Sequence, residues 1–246
     1  MSAPVPSYAI IEAPSHLGLR ASGVEALPEA LLAAGLRERL DARRIGRLPT
    51  PPYDPQIDPA TGMLNPTGLR DYSPKLADTV GAALDRGEFP IVLGGDCSIL
   101  LGNMLALKRR GRYGLLFLDG HADFYQPEAE PTGEAASMDL ALATGRGPEI
   151  VTNLEGQRPL VHDEDVVVFG FRDAEQAAAE GSQPLAPNLR AMDLGTVRER
   201  GVARAAHDAL AHLVPYSSIA RLAIASAPRF LSRRTCAMVT CGKVVE

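Results

Sequence analysis

The chain has 246 residues, 46% of them hydrophobic, and a net charge of −5. That is ample material for one sizeable core, and the acidic balance excludes a general phosphate-backbone binder, which carries a basic excess. No apolar run approaches the roughly 20 residues that span a bilayer, the N-terminal MSAPVPSYAI does not read as a secretory signal, and three unevenly placed cysteines make no disulfide framework, so the expectation is a cytoplasmic protein without a nucleic-acid or membrane partner.

In chain order, Tyr8 to Ile11 reads as a first strand and Val24 to Leu36 as a helix with Gly35 near its end. Leu48 to Ser73 is rich in Pro, Gly, Asp and Thr and reads as a long loop. A helix is predicted from about Pro74 to Arg86, then a short strand Pro90 to Leu93 ending in Gly94-Gly95, then a helix from Ser98 to Arg110. Leu115 to Leu118 and Val166 to Phe169 are continuous apolar runs, which suit strands covered on both faces. Leu189 to Leu194 is a weaker strand, and Thr196 to Leu213 an amphipathic helix. Strands alternating with helices predict an α/β fold of three layers, α/β/α, around a mostly parallel sheet.

Residues 214–246 differ in composition. They carry Arg221, Arg229, Arg233, Arg234 and Lys243 but no acidic residue before Glu246. The expected division is therefore an α/β domain over 1–213 and a divergent basic C-terminal tail over 214–246. An appended segment, a truncation, a reading-frame change and an ordinary basic terminal helix and strand all remain open for that tail.

The run with most chemistry is Asp119-Gly120-His121-Ala122-Asp123, directly after the strand at Leu118. Ligands of open α/β sheets bind beyond the carboxyl ends of strands. Two carboxylates and an imidazole within five residues suit a hard or borderline divalent metal. A second run, Gly94-Gly95-Asp96-Cys97-Ser98, also follows a strand and opens a helix. Its glycines permit a tight turn, and Asp96 or Ser98 can cap the helix. Both runs are expected at the carboxyl edge of adjacent parallel strands, bringing Cys97, Asp119, His121 and Asp123 together.

Paired in this order and spacing, the two runs resemble those of the ureohydrolases, the family of arginase, agmatinase and formiminoglutamase. That family has Gly-Gly-Asp-His-Ser before a helix and Asp-Ala-His-Ala-Asp after the next strand, and the resemblance runs from about Tyr8 to Leu213. It implies an arginase-like fold, incomplete or divergent at its C-terminal part, and metal-dependent hydrolysis of a C–N bond in a linear amidine or guanidino compound. It further implies manganese as cofactor, a small guanidino or amidine substrate, and room for a homo-oligomer. By resemblance, Asp119, His121 and Asp123 are metal ligands that hold a reactive hydroxide, and Cys97 stands where the family has a histidine ligand. A thiolate there would favour Zn2+ or Fe2+. Tyr125 and Glu175 stand at substrate-contacting positions, Ala136 where arginases have a proton-shuttling histidine, and Gly170-Phe171-Arg172-Asp173 is similar to a Gly-Leu-Arg-Asp run.

One family element is missing, an Asp-x-Asp run supplying two more metal carboxylates after a later strand. Asp163-Glu164-Asp165 precedes the strand at Val166 and so is expected on the far side of the sheet from His121. Three functions follow. The first is an impaired amidine hydrolase. The second is a non-catalytic relative, a pseudoenzyme binding one metal or none. The third is a cysteine enzyme with Cys97 as nucleophile and His121 as base.

Overall fold

The computed structural model describes residues 7–213 together with two strands at 222–225 and 238–243. In chain order the strands are β1 (Tyr8–Ala13), β2 (Arg43–Arg47), β3 (Ile57–Asp58), β4 (Met63–Leu64), β5 (Phe89–Gly94), β6 (Tyr113–Leu118), β7 (Val166–Phe169), β8 (Arg190–Met192), β9 (Leu222–Ala225) and β10 (Met238–Lys243). The helices are α1 (Leu27–Ala33), α2 (Leu36–Leu40), α3 (Pro66–Asp85), α4 (Ile99–Lys108), α5 (Asp139–Ala143), α6 (Glu149–Thr152), α7 (Ala174–Ala179), α8 (Leu194–Arg200) and α9 (Val202–Leu213).

One sheet runs β2-β1-β5-β9-β10-β6-β7-β8, with β3 and β4 paired apart from it. All its neighbours are parallel except β10, which lies antiparallel to both β9 and β6. The layers follow from alternation along each strand. Ile11, Val92, Leu115, Phe117, Val166 and Val168 point to one face and join the main core with α3 and α4. Their neighbours go to the other face. Leu116, Val167 and Phe169 meet Val197, Ala205, Ala209 and Leu213 of α8 and α9, while Ile10 and Leu93 meet Leu31, Leu32, Leu36 and Leu40 of α1 and α2. The three-layer, mostly parallel architecture is the one anticipated.

Several boundaries differ from the sequence expectation. The helix predicted from Pro74 begins at Pro66 and keeps Pro74 inside it. Burial of Leu69, Tyr72, Leu76, Ala77 and Val80 on its inner face outweighs the lost N–H of Pro74, and Ser73 Oγ donates to the Leu69 carbonyl at 2.8 Å. The single helix expected over Val24 to Leu36 is broken at Gly35, which lies in the left-handed region with φ of 82°. Gly201, with φ of 81°, divides the helix expected over Thr196 to Leu213. β2 was not foreseen, and β3 and β4 fall inside the stretch read as loop.

β5 and β6 are not adjacent, because β9 and β10 stand between them. Three inter-strand steps of ~4.8 Å put the two strands about 14 Å apart. They do run in the same direction, since β5 is parallel to β9 and both β9 and β6 oppose β10. The two motif loops therefore leave the sheet at the same edge. The side chains of 214–246, and with them the expectation that the tail packs poorly, lie outside the described residues. No helix among the described residues is long and apolar enough to cross a membrane.

Candidate metal and substrate site

The loop after β5 is held by its own aspartate. Asp96 is fully buried and accepts from the Ser15 hydroxyl at 3.3 Å, the Gly18 N–H at 3.3 Å and the Ser98 N–H at 2.8 Å. Burial raises its carboxyl above the usual range, and these donors oppose that shift. Gly95 lets this loop lie directly on the end of β1, where a Cβ would come 1.7 Å from the Ser15 carbonyl oxygen. Asp96 thus staples two strand ends together, and Cys97 sits beside it partly exposed.

The Asp119–Asp123 run extends the sheet before it turns away. The Asp119 N–H donates to the Phe169 carbonyl at 3.2 Å. One carboxylate oxygen of Asp119 accepts from the His121 N–H at 3.0 Å and lies 3.6 Å from His121 Nδ1. Asp123 adopts the left-handed conformation with φ of 45° and is buried. The loop after β7 clamps the run from behind. Arg172 N–H donates to the Gly120 carbonyl at 3.0 Å, and both Asp173 oxygens accept from the Ala122 N–H at 3.1 and 3.2 Å. Asp173 belongs to the Gly170-to-Asp173 run singled out in the sequence, but no role was foreseen for it.

These loops line a pocket of about 440 Å³. His121, Asp123 and Tyr125 open into it, with Glu130, Glu134, Asp173 and Glu180 adding carboxylates and Thr132, Ser137 and Gln176 adding neutral polar groups. No Lys or Arg is among the lining residues. Tyr125 donates its hydroxyl to Glu180 at 2.7 Å. Glu134 accepts from the Arg20 N–H at 3.0 Å. Glu175, expected at the substrate, is exposed on α7 and is not part of this lining. Neither Cys97 nor Asp119 lines it. Glu180 was not anticipated, since nothing local to it in the sequence signals a site and only folding brings α7 against Tyr125.

Asp163 and Asp165 have arginine partners ahead of β7. Arg146 holds Asp163 through two contacts of 2.7 Å, and Arg112 holds the fully buried Asp165 at 2.6 and 2.9 Å.

A model of the arginase family matches residues 6–219. The chain belongs to the arginase family. It is 33% identical to an arginase of Staphylococcus aureus (strain COL) over 175 residues, which is 68% of this chain and 57% of that protein. An arginase of Brevibacillus brevis is 30% identical over 214 residues, covering 84% of this chain and 70% of its own. Among solved structures, arginase from Bacillus caldovelox superposes with a TM-score of 0.70 at 27% identity, covering 85% of this chain and 71% of its own. The chain thus spans less than three fifths of the length of the S. aureus relative.

Family resemblance implies a pair of metal ions held by this sheet edge. Among the described residues, no three His, Cys, Asp or Glu side chains converge closely enough to hold an ion. The separation of β5 from β6 accounts for part of this, because Cys97 and Asp119 start from strands three positions apart in the sheet. The described residues do not fit a two-metal centre. One buried oxygen does remain unsatisfied beside the run, Oδ1 of Asp139.

Proposed function

We propose that this chain takes a small linear guanidino or amidine compound into the pocket beside His121 and Asp123, and that C–N bond hydrolysis of the ureohydrolase type is impaired in it. The observation that carries this reading is the lining. Asp123, Glu130, Glu134, Asp173 and Glu180 surround the space without a lysine or arginine among them. Such a concave acidic surface concentrates cations, and a planar amidinium pairs its N–H groups with carboxylates. In this reading Tyr125 and Glu180 form one wall and orient the cation, while His121 and Asp123 face its reacting end. Glu180 takes the contacting role that the resemblance gave to Glu175. Tyr125 and Ala136 argue against arginine itself as the substrate.

The impairment follows from carboxylates the chain does not supply. Residues 214–246 contain no Asp, and Glu246 is their only acidic side chain. By number, Asp119, His121 and Asp123, with Cys97 as a further candidate, are too few for two oxygen-rich manganese sites, and among the described residues no three of them converge. Manganese is the cofactor implied by resemblance, and the thiol of Cys97 would shift preference toward Zn2+ or Fe2+. The segment 214–246 is taken as a divergent tail that adds no ligand. A cytoplasmic protein, open to homo-oligomer formation, is part of the same reading.

The test is to titrate agmatine, guanidinobutyrate and arginine into the full chain, and to assay urea release with added Mn2+. Binding of agmatine with little or no urea release is expected. Two metals per chain with ordinary enzyme turnover would remove the impairment and leave a working hydrolase. The second reading, a non-catalytic relative binding one metal or none, is favoured by the absence of a three-donor cluster among the described residues. Alkylation of Cys97 that abolished turnover in metal-free protein would instead support a cysteine nucleophile.

A further inference from the structure

A second cavity lies against the acidic pocket. Its volume is also about 440 Å³, and Tyr125 and Asp173 line both. The rest of its lining differs in kind. Phe124, Phe171, Ala174, Ala177, Ala178 and Leu185 make up most of it, and Asp173 is the one charged residue among the lining. Both Asp173 oxygens are already engaged by the Ala122 N–H. The two cavities divide along α7. Gln176 and Glu180 turn to the acidic one, and Ala174, Ala177 and Ala178 to the apolar one. These are neighbouring stripes of one helical surface, since residues three and four apart share a face. Tyr125 stands between them, buried, with its hydroxyl on Glu180 at 2.7 Å.

The far wall of the apolar cavity is fastened to the fold. The Ser182 N–H donates to the Ala177 carbonyl at 2.9 Å, the Gln183 N–H to Gln126 Oε1 at 2.8 Å, and Gln126 Nε2 to the Gly181 carbonyl at 2.9 Å. Leu185 packs on the main core. A cavity built in this way spares a ligand the cost of ordering its walls. Neither lining contains a lysine or arginine. A ligand tail ending in a carboxylate therefore finds no counter-charge and faces several acids instead. A tail ending in an ammonium loses hydration in the apolar cavity, where the one acid is already engaged. A hydrocarbon tail meets neither cost and gains from burial.

We infer that the ligand of this chain is a guanidinium or amidinium compound with a neutral apolar tail, its charged head in the acidic pocket and its alkyl or aryl tail in the cavity lined by Phe124, Phe171 and α7. This rests on the proposed reading of the acidic pocket as the site of the cationic head. The apolar cavity adds the substrate class, which is a monosubstituted alkyl- or arylguanidine in place of a guanidino acid. Ala178 and Leu185 line the apolar cavity alone, so they set the preference for the tail without meeting the head.

The experiment is calorimetric titration of the full chain with methylguanidine, butylguanidine, guanidinobutyrate and butylurea, the last matching butylguanidine in shape with a neutral head. Each titration is repeated in Ala178→Phe, which fills the apolar cavity from an exposed position on α7. Butylguanidine should bind roughly tenfold or more tightly than methylguanidine, from about threefold per buried methylene, and more tightly than guanidinobutyrate. Ala178→Phe should bring butylguanidine to within about threefold of methylguanidine and leave methylguanidine unchanged. If Ala178→Phe does not fold, Ala174→Leu carries the same expectation. Methylguanidine binding with no gain from the butyl tail, or a gain that survives both substitutions, would overturn the tail site alone. Guanidinobutyrate binding as tightly as butylguanidine would overturn the substrate class. Butylurea binding that is lost in Ala178→Phe, with no guanidinium compound bound, would overturn the reading of the acidic pocket and leave the apolar cavity as a binding site. No binding of any of the four would overturn both.

Discussion

The acidic residues at the two ends of β7 are treated in opposite ways. Ahead of the strand, Asp163, Glu164 and Asp165 each meet an arginine, Arg146 for the first and Arg112 for the other two. Beyond it, Asp173 spends its carboxylate on a backbone N–H, and the pocket it lines has several acids and no lysine or arginine. Both ends bury aspartates, Asp165 at 0% exposure and Asp173 at 8%. The first end has completed its electrostatics within the chain. The second gathers acids around a pocket whose lining includes no lysine or arginine. A parallel sheet makes this division natural, because strand carboxyl ends and the loops that follow them gather at one edge.

That contrast can be broken most severely through the scaffold. The pocket edge holds its shape because the loop after β5 lies on β1. Gly95→Ala would drive a Cβ into the Ser15 carbonyl, 1.7 Å away, and neither backbone can yield cheaply. A loss of more than about 4 kcal/mol, or no folded protein, is expected on urea denaturation. A folded chain with near-native stability would mean that the two strand ends are not locked together.

The same chemical change at the two ends should next have opposite signs. Asp165→Asn removes a buried carboxylate paired with Arg112, whose side chain is 46% exposed. Breaking a fully buried pair costs roughly 3–5 kcal/mol, and solvent around Arg112 reduces this to about 2 kcal/mol. Asp139→Asn, measured in chelator-treated protein, removes a buried charge with an unsatisfied oxygen. It should raise stability by about 1 kcal/mol. Denaturant midpoints measured side by side decide the matter. If both variants lose stability, Asp139 is compensated in the metal-free protein and the contrast between the two ends disappears.

How much of this could be read from the sequence depended on whether the signal was local. β6 and β7 are apolar runs, YGLLFL and VVVF, and their position in the sheet interior follows from that. β2 is RRIGR, a sheet edge made mostly of arginine. It forms as a parallel partner of β1, with Arg43 and Arg44 paired to Glu88 and Glu12, which no window around it shows. The start of α3 was hidden by Pro74, where local chemistry opposes helix and buried tertiary contacts override it. At the site, His121 and Asp123 were legible because the motif is continuous in the chain. Glu180 was not, because its link to Tyr125 spans 55 residues. Asp139 did leave a trace, a lone charge in an otherwise apolar run, which is costly to bury unless something is bound or bonded to it.

The smallest effect asks whether an acid beyond a strand end behaves ordinarily once the chain gives it donors. Asp193 follows β8 and caps α8, accepting from the Thr196 N–H at 2.6 Å. The Thr196 backbone and side chain hold its carboxyl below the usual range, with slight burial opposing them. A depressed carboxyl contributes stability that is present above its unfolded value and is lost as pH falls through the folded one. Losing an N-cap costs about 1 kcal/mol, and the exposure of Asp193 places the effect nearer half of that. Asp193→Ala should therefore be less stable than the unchanged chain at neutral pH, by roughly 0.5 kcal/mol. The gap should close as pH drops below the ordinary carboxylate range, about 4. Thermal melts across that range, at matched ionic strength, provide the measurement. A gap that stayed constant with pH would mean that the cap acts through the shape of the aspartate and not through its charge. Asp193 would then no longer serve as the satisfied counterpart to Asp139 at the same edge of the sheet.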